Sequence, residues 1–179
     1  MGRFVALLRG INVGGRNMVP MGELRALCAH LGWASVQTYI QSGNVVFEVG
    51  GEPAGLEAAL EEALAERFGQ AVPVIVRPAA RWQAYVEGNP FGRESAEQPN
   101  QVMLGVCKTP PLAGAVAALR ERAAPGERVE QVDDALWIYF AGGVARSRLT
   151  SDLLDRVAGS PVTIRNWRTV LKLRDMASG

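Results

Sequence analysis

The chain has 179 residues, 48% of them apolar and 21% charged, with 19 basic against 18 acidic side chains and a formal net charge of +1. That length buries a real core as one large domain or two small ones. So even a charge balance argues against a dedicated nucleic-acid binder, which normally carries a basic excess.

No apolar run approaches the ~20 residues that span a bilayer, and no basic segment leads into a long apolar one at the N-terminus. Cys28 and Cys107 lie far apart, in neither a metal-ligating nor a redox spacing. The expectation is a cytoplasmic protein with two free, buried thiols, no membrane association, no metal site and no cofactor.

In chain order, residues 3–9 form a short apolar run ended by Gly10 and read as a buried strand. A glycine-rich loop follows. Met21, Leu24, Leu27, Cys28 and Leu31 then mark one face of a helix, with Pro20 at its first position and Gly32 as its stop. Residues 35–41 and 44–49 are β-rich and separated by Ser42-Gly43, a hairpin signal. Leu56, Leu60, Ala63, Leu64 and Phe68 trace a second helix closed by Gly69, and residues 72–77 supply a fourth strand. This order predicts a ferredoxin-like βαββαβ half over residues 1–77.

Residues 78–100 break the pattern and read as a connecting segment, with one short helix around Trp82, Tyr85 and Val86 and loop thereafter. Residues 101–179 repeat the order. A strand at 101–107 precedes a helix carrying Leu112, Val116 and Leu119, and strands at 128–132 and 135–141 are split by an Asp133-Asp134 turn. A helix with Leu149, Leu153, Leu154 and Val157 ends at Gly159, and a brief extended piece leads into a last helix from about 165 to 177. The fold class is therefore α+β, two ferredoxin-like halves packed together, the second with a terminal helix.

Three strings set polar residues into apolar surroundings, where a folded chain hides such groups or uses them: 7–17, 39–47 and 163–173. They offer hydrogen-bond donors and contain no His, Cys, Asp or Glu. In a βαββαβ half the first two strands run parallel and the third pairs with the first, which makes the loop 10–17 and the turn 42–44 neighbours. Gly10-x-x-x-x-Gly15-Arg16-Asn17 has the length of a P-loop. It lacks the Lys, the hydroxyl residue and the immediate helix start that a P-loop needs. In the third string a helix starting at 165 places Arg165, Arg168, Thr169 and Lys172 on one face, with Trp167 buried. Arg165 and Asn166 then either turn toward a ligand or stay structural. His30, the single histidine, falls on the polar side of its helix and reads as solvated.

Arg9-Gly10-Ile11-Asn12-Val13-Gly14-Gly15, Tyr39-Ile40-Gln41-Ser42-Gly43-Asn44 and Arg165-Asn166-Trp167 together resemble the signature positions of a bacterial family catalogued as domain of unknown function 1697. The resemblance runs from Met1 to about Met176. Arg16 stands where such proteins often carry Lys, and Arg168 where an uncharged polar residue is common. The resemblance implies an α+β fold of two ferredoxin-like halves and carries no established activity.

The functional expectation is a small anionic ligand, a nucleotide or phosphate ester, held at the edge of the N-terminal sheet. Arg9, Asn12, Arg16 and the backbone of Gly14 and Gly15 would supply donors, Ser42 and Asn44 would complete the pocket, and Arg165 and Asn166 would join it. The alternative is an RNA- or protein-binding module without catalysis, and RNA is disfavoured because no strand carries an aromatic stacking string. A third reading makes the polar residues ties between loops. Any catalysis would rest on electrostatic stabilisation, with no general base in view.

Overall fold

A computed structural model describes residues 1–179. The chain folds into two compact units, Met1–Gln83 with Leu173–Gly179, and Ala84–Lys172.

The first unit is built from β1 (Gly2–Leu8), α1 (Met21–His30), β2 (Ala34–Tyr39), β3 (Asn44–Val49), α2 (Pro53–Phe68) and β4 (Val74–Pro78). Its sheet has the order β2-β3-β1-β4 with every neighbouring pair antiparallel, which leaves β1 and β2 parallel. The side-chain period of a strand divides β1 between two faces. Phe4, Ala6 and Leu8 pack into a core with Leu24, Cys28, Val45, Phe47, Leu60 and Leu64. Val5 and Leu7, on the opposite face, are buried as well. Pro20 precedes α1 as its cap instead of occupying its first turn, and Gly32 (φ 82°) follows the helix end. Gly69 closes α2 in the left-handed region.

An edge strand leaves a row of backbone N–H groups unpaired. Here α2 meets that need. Glu61 Oε1 accepts from the Val74 N–H at 2.8 Å, and Glu57 Oε1 accepts from the Val76 N–H at 2.9 Å while facing Arg77 Nη1 at 3.5 Å. Two glutamates one helical turn apart thus cover the β4 edge.

After α3 (Ala79–Glu87) and α4 (Gly92–Glu97), the second unit contains β5 (Val102–Cys107), α5 (Ala115–Arg122), β6 (Arg128–Val132), β7 (Ala135–Tyr139), α6 (Ser151–Ala158), β8 (Val162–Asn166) and the start of α7 (Trp167–Ser178), a helix that belongs to the first unit from Leu173 on. Its sheet order, β6-β7-β5-β8, repeats that of the first, again antiparallel throughout. The edge device repeats too: Asp155 Oδ1 on α6 accepts from the Val162 N–H at 2.8 Å. The protein is α+β, two similar halves of ferredoxin-like strand order.

Four local readings are corrected. Residues 92–97 are helical, not loop: Asn89 Oδ1 accepts from the Phe91 N–H at 2.9 Å and Asn89 Nδ2 donates to Ser95 Oγ at 2.7 Å, a local clasp that starts the turn. Leu112 lies before α5 and is 57% exposed. The extended piece before the last helix is a full strand, so Arg165 and Asn166 end β8 and do not open a helix; Arg165 shares no helix face with Arg168, Thr169 and Lys172. Trp167 is half-buried, tilted against Trp137 with ring centroids 5.9 Å apart.

Candidate functional site

β1 runs out into a small hairpin. Gly14 (φ 58°) and Gly15 (φ 73°) are both left-handed, and the Arg16 N–H donates to the Val13 carbonyl at 3.0 Å. Two consecutive left-handed residues at a tight turn describe a type I′ turn, which Gly-Gly meets without steric cost. The next rung closes when the Asn12 N–H donates to the Asn17 carbonyl at 3.0 Å. Asn12 and Asn17 are themselves left-handed, φ 53° and 51°, a region asparagine tolerates better than most residues.

Side-chain amides fix this hairpin to the body of the unit. Asn12 Nδ2 donates to the carbonyls of Val19 (3.0 Å) and Gln41 (2.7 Å), while its Oδ1 accepts from the Val19 N–H at 2.7 Å. Asn17 Nδ2 donates to the Gly10 carbonyl at 3.0 Å. The buried Ile11 and Val19 anchor the two ends.

The turn between β2 and β3 sits against it. Asn44 lies opposite Leu7 in the sheet and is fully buried; its Nδ2 donates to the Tyr39 carbonyl at 2.8 Å and to Ser42 Oγ at 3.0 Å. The Leu8 N–H donates to the Gly43 carbonyl at 2.8 Å. Gly43 is required twice over, by its φ of 86° and because a Cβ there would lie 2.7 Å from Leu8 Cβ.

Arg9, Asn12, Gly14, Gly15, Arg16, Ser42 and Asn44 therefore lie at one end of the first sheet. Their positions differ in kind. The Asn12 amide is spent on backbone groups, and that of Asn44 on the Tyr39 carbonyl and Ser42 Oγ. Arg9 is half-buried, with its N–H donating to the Pro73 carbonyl at 3.0 Å. Arg16 is exposed and makes no ion pair, at the tip beside the glycine N–H groups. Arg165 and Asn166 belong to the second unit. Arg165 Nη1 donates to Thr163 Oγ1 and to the Ile164 carbonyl, the latter at 3.0 Å, and burial pulls its guanidinium down to about 10. Asn166 Oδ1 accepts from the Thr169 N–H at 3.0 Å, the work of a helix cap on α7.

Charge is unevenly placed along the first unit. Residues 1–47 contain four arginines and a single glutamate, Glu23, which pairs with Arg67 on α2. Acidic residues collect instead on α2, at Glu57, Glu61, Glu62 and Glu66. The hairpin end also exposes apolar side chains that the sequence pattern did not single out: Val13 (65%), Met18 (57%) and Ile40 (51%). A branched or thioether side chain inside a Gly/Asn-rich loop was the available signal.

Cys28 is buried, which pushes its thiol up to about 12. No helix is long and apolar enough to cross a membrane.

No curated protein matches this chain. Among solved structures, the conserved bacterial protein SP0830 from Streptococcus pneumoniae is similar over 98% of both chains, with a TM-score of 0.72 at 24% identity, a likeness of fold. A family model described as protein of unknown function (DUF1697) matches residues 1–137, a span that holds the first two strings and stops short of the third. The chain belongs to the DUF1697 family.

Proposed function

We propose that this protein is a binding module that receives a small anionic ligand, a phosphate ester or nucleotide, on the hairpin of residues 10–17. One observation carries the reading. The exposed Arg16 guanidinium, free of any ion pair, stands beside the left-handed Gly14-Gly15 turn in a cluster without a carboxylate. Backbone N–H groups in such turns, next to a guanidinium, form a concave donor set for an anion. Arg9 lies at the base of the hairpin, and Asn12, Ser42 and Asn44 act as positioning residues. Residues 9–19 and 39–45 contain no His, Cys, Asp or Glu to take up a proton, which favours binding without catalysis.

The test is thermal stabilisation by inorganic phosphate, sulfate and a nucleotide panel. Ligand at ~100 times its Kd should add about 2.7 kcal/mol. Arg16→Ala should abolish the shift while leaving the free protein's melting temperature in place. No shift with any anion, or an equal shift in the variant, would overturn the reading.

A protein partner is the second reading, favoured by the exposure of Val13, Met18 and Ile40 at the same end. Apolar side chains gathered on a surface mark interaction sites more often than solvated polar loops do.

A further inference from the structure

We propose that the hairpin of one molecule docks into the α1/α2 groove of a second copy, where Arg16 meets the carboxylates of Glu62 and Glu66. The inference rests on the reading of the hairpin as an anion-receiving surface, and names a protein carboxylate pair as an anion it meets.

The groove has a volume of about 520 Å³. Leu27 and Leu31 from the α1 end and Ala59 and Ala63 from α2 give it apolar walls, and Glu62 and Glu66 stand on its rim. These glutamates are four residues apart on one helix, hence one above the other on the same face. Both are exposed and neither has an ion pair or hydrogen bond. Arg67, the cation beside them, is occupied by Glu23. His30 lines it as well, so the groove is apolar inside, with Glu62 and Glu66 as the unpaired carboxylates at its lip.

The hairpin has the converse character. Val13 and Arg16 oppose each other across its narrow ladder, so their side chains share one face. Asn12 and Asn17, the next pair, are the ones bonded back to the body. Val13 and Met18 are apolar and more than half exposed, with the only nearby charge positive. Basic-apolar tip and acidic-apolar groove match in charge and in surface character.

Within one molecule the two surfaces stay unjoined: Arg16 has no ion pair, and neither have Glu62 and Glu66. α1 starts near the hairpin end and runs back along the sheet for ten residues, about 15 Å at the helical rise. Its last turn lines the groove together with the last turns of α2, while Asn12 holds the hairpin beside the β2–β3 turn. Because tip and groove are different surfaces, the contact is head to tail, and each molecule can give one hairpin and receive another.

Sedimentation of the full chain over a concentration series tests this. The wild type should gain mass with concentration and lose it as salt is raised. A tip variant, Val13→Ala with Arg16→Ala and Met18→Ala, and a groove variant, Ala59→Lys with Ala63→Lys, should each stay monomeric. Their mixture should give a one-to-one pair that grows no further, since only one tip and one groove remain intact. Circular dichroism melts of both variants verify that they fold. A wild type monomeric at every concentration, a tip variant that associates like the wild type, or a mixture that fails to pair would overturn the proposal. Phosphate stabilisation of the monomeric groove variant, whose hairpin is intact, separates the two readings. A shift there keeps the small-anion reading even where self-association fails.

Discussion

Asn12 and Gln41, 29 residues apart in sequence, are joined by a hydrogen bond of 2.7 Å from the Asn12 amide to the Gln41 carbonyl. The same amide clasps Val19 through both its donor and its acceptor. One side chain thereby sets the hairpin against the β2–β3 turn. Asn12→Ala removes three hydrogen bonds and places alanine at φ 53°, and should cost about 2–4 kcal/mol in urea unfolding. Asn12→Gly loses the same bonds without the backbone strain, and should be about 1 kcal/mol milder. Equal losses in the two variants would show that the left-handed backbone contributes nothing.

Gly43 and Gly14 are both left-handed, yet only one is enclosed. A Cβ on Gly43 would meet Leu8 Cβ at 2.7 Å and Ile11 Cδ1 at 2.8 Å, whereas one on Gly14 meets nothing within 4 Å. Gly43→Ala should therefore destabilise by about 3 kcal/mol or more, combining overpacking with strain. Gly14→Ala should cost about 1–2 kcal/mol from strain alone. Paired thermal melts check the ranking, and a Gly14 effect equal to that of Gly43 would refute it.

Arg3 faces Glu48 across β1 and β3 in a cross-strand ion pair, and its hydrogen bond holds the Glu48 carboxyl below the usual glutamate range. A carboxylate whose folded value is depressed stabilises above its unfolded pKa and loses that contribution as pH falls through the folded value. The pair is solvent-accessible, so the effect on stability is small and sensitive to salt. Carboxyl NMR titration should find Glu48 below the usual glutamate range, and Arg3→Met should raise it back toward that range. A Glu48 titration unmoved by that substitution would assign the shift elsewhere.

Arg165 tests whether a buried cation in β8 is structural. Arg165→Ala leaves Thr163 Oγ1 and the Ile164 carbonyl without this donor and opens a void, and should cost about 2–4 kcal/mol. Arg165→Met keeps most of the volume and also removes a desolvated charge, so it should be clearly milder. Arg16→Ala, at an exposed tip, should fall within about 0.5 kcal/mol of the wild type. Denaturant unfolding of the three variants gives the order. A melting temperature unchanged in Arg165→Ala would exclude a structural role.

The alternation of runs such as Phe4-Val5-Ala6-Leu7-Leu8 with the spaced leucines of α2 made the βαββαβ order legible, and with it the pairing that sets Asn44 opposite Leu7. Short elements were less legible. α4 has only six residues and depends on the Asn89–Ser95 clasp, a contact no periodicity encodes. The β8–α7 boundary was misread because Arg165 and Asn166 abut a helical pattern while their backbone pairs with β5. The site shows a deeper limit. Sequence identifies Asn12 and Asn44 as donors amid apolar residues, but a donor aimed at a ligand and one aimed at a neighbouring carbonyl look alike until the chain is folded. The same holds for Glu57 and Glu61, whose carboxylates serve the edge of β4.

The grouping of Leu173–Gly179 with Met1–Gln83 bears on the order in which the molecule is made. Synthesis proceeds from the N-terminus, and domains fold as units as they emerge. The first unit contains a segment that leaves the ribosome only after Ala84–Lys172 has been translated. It is therefore complete only when the last turns of α7 join a body begun at the first residue.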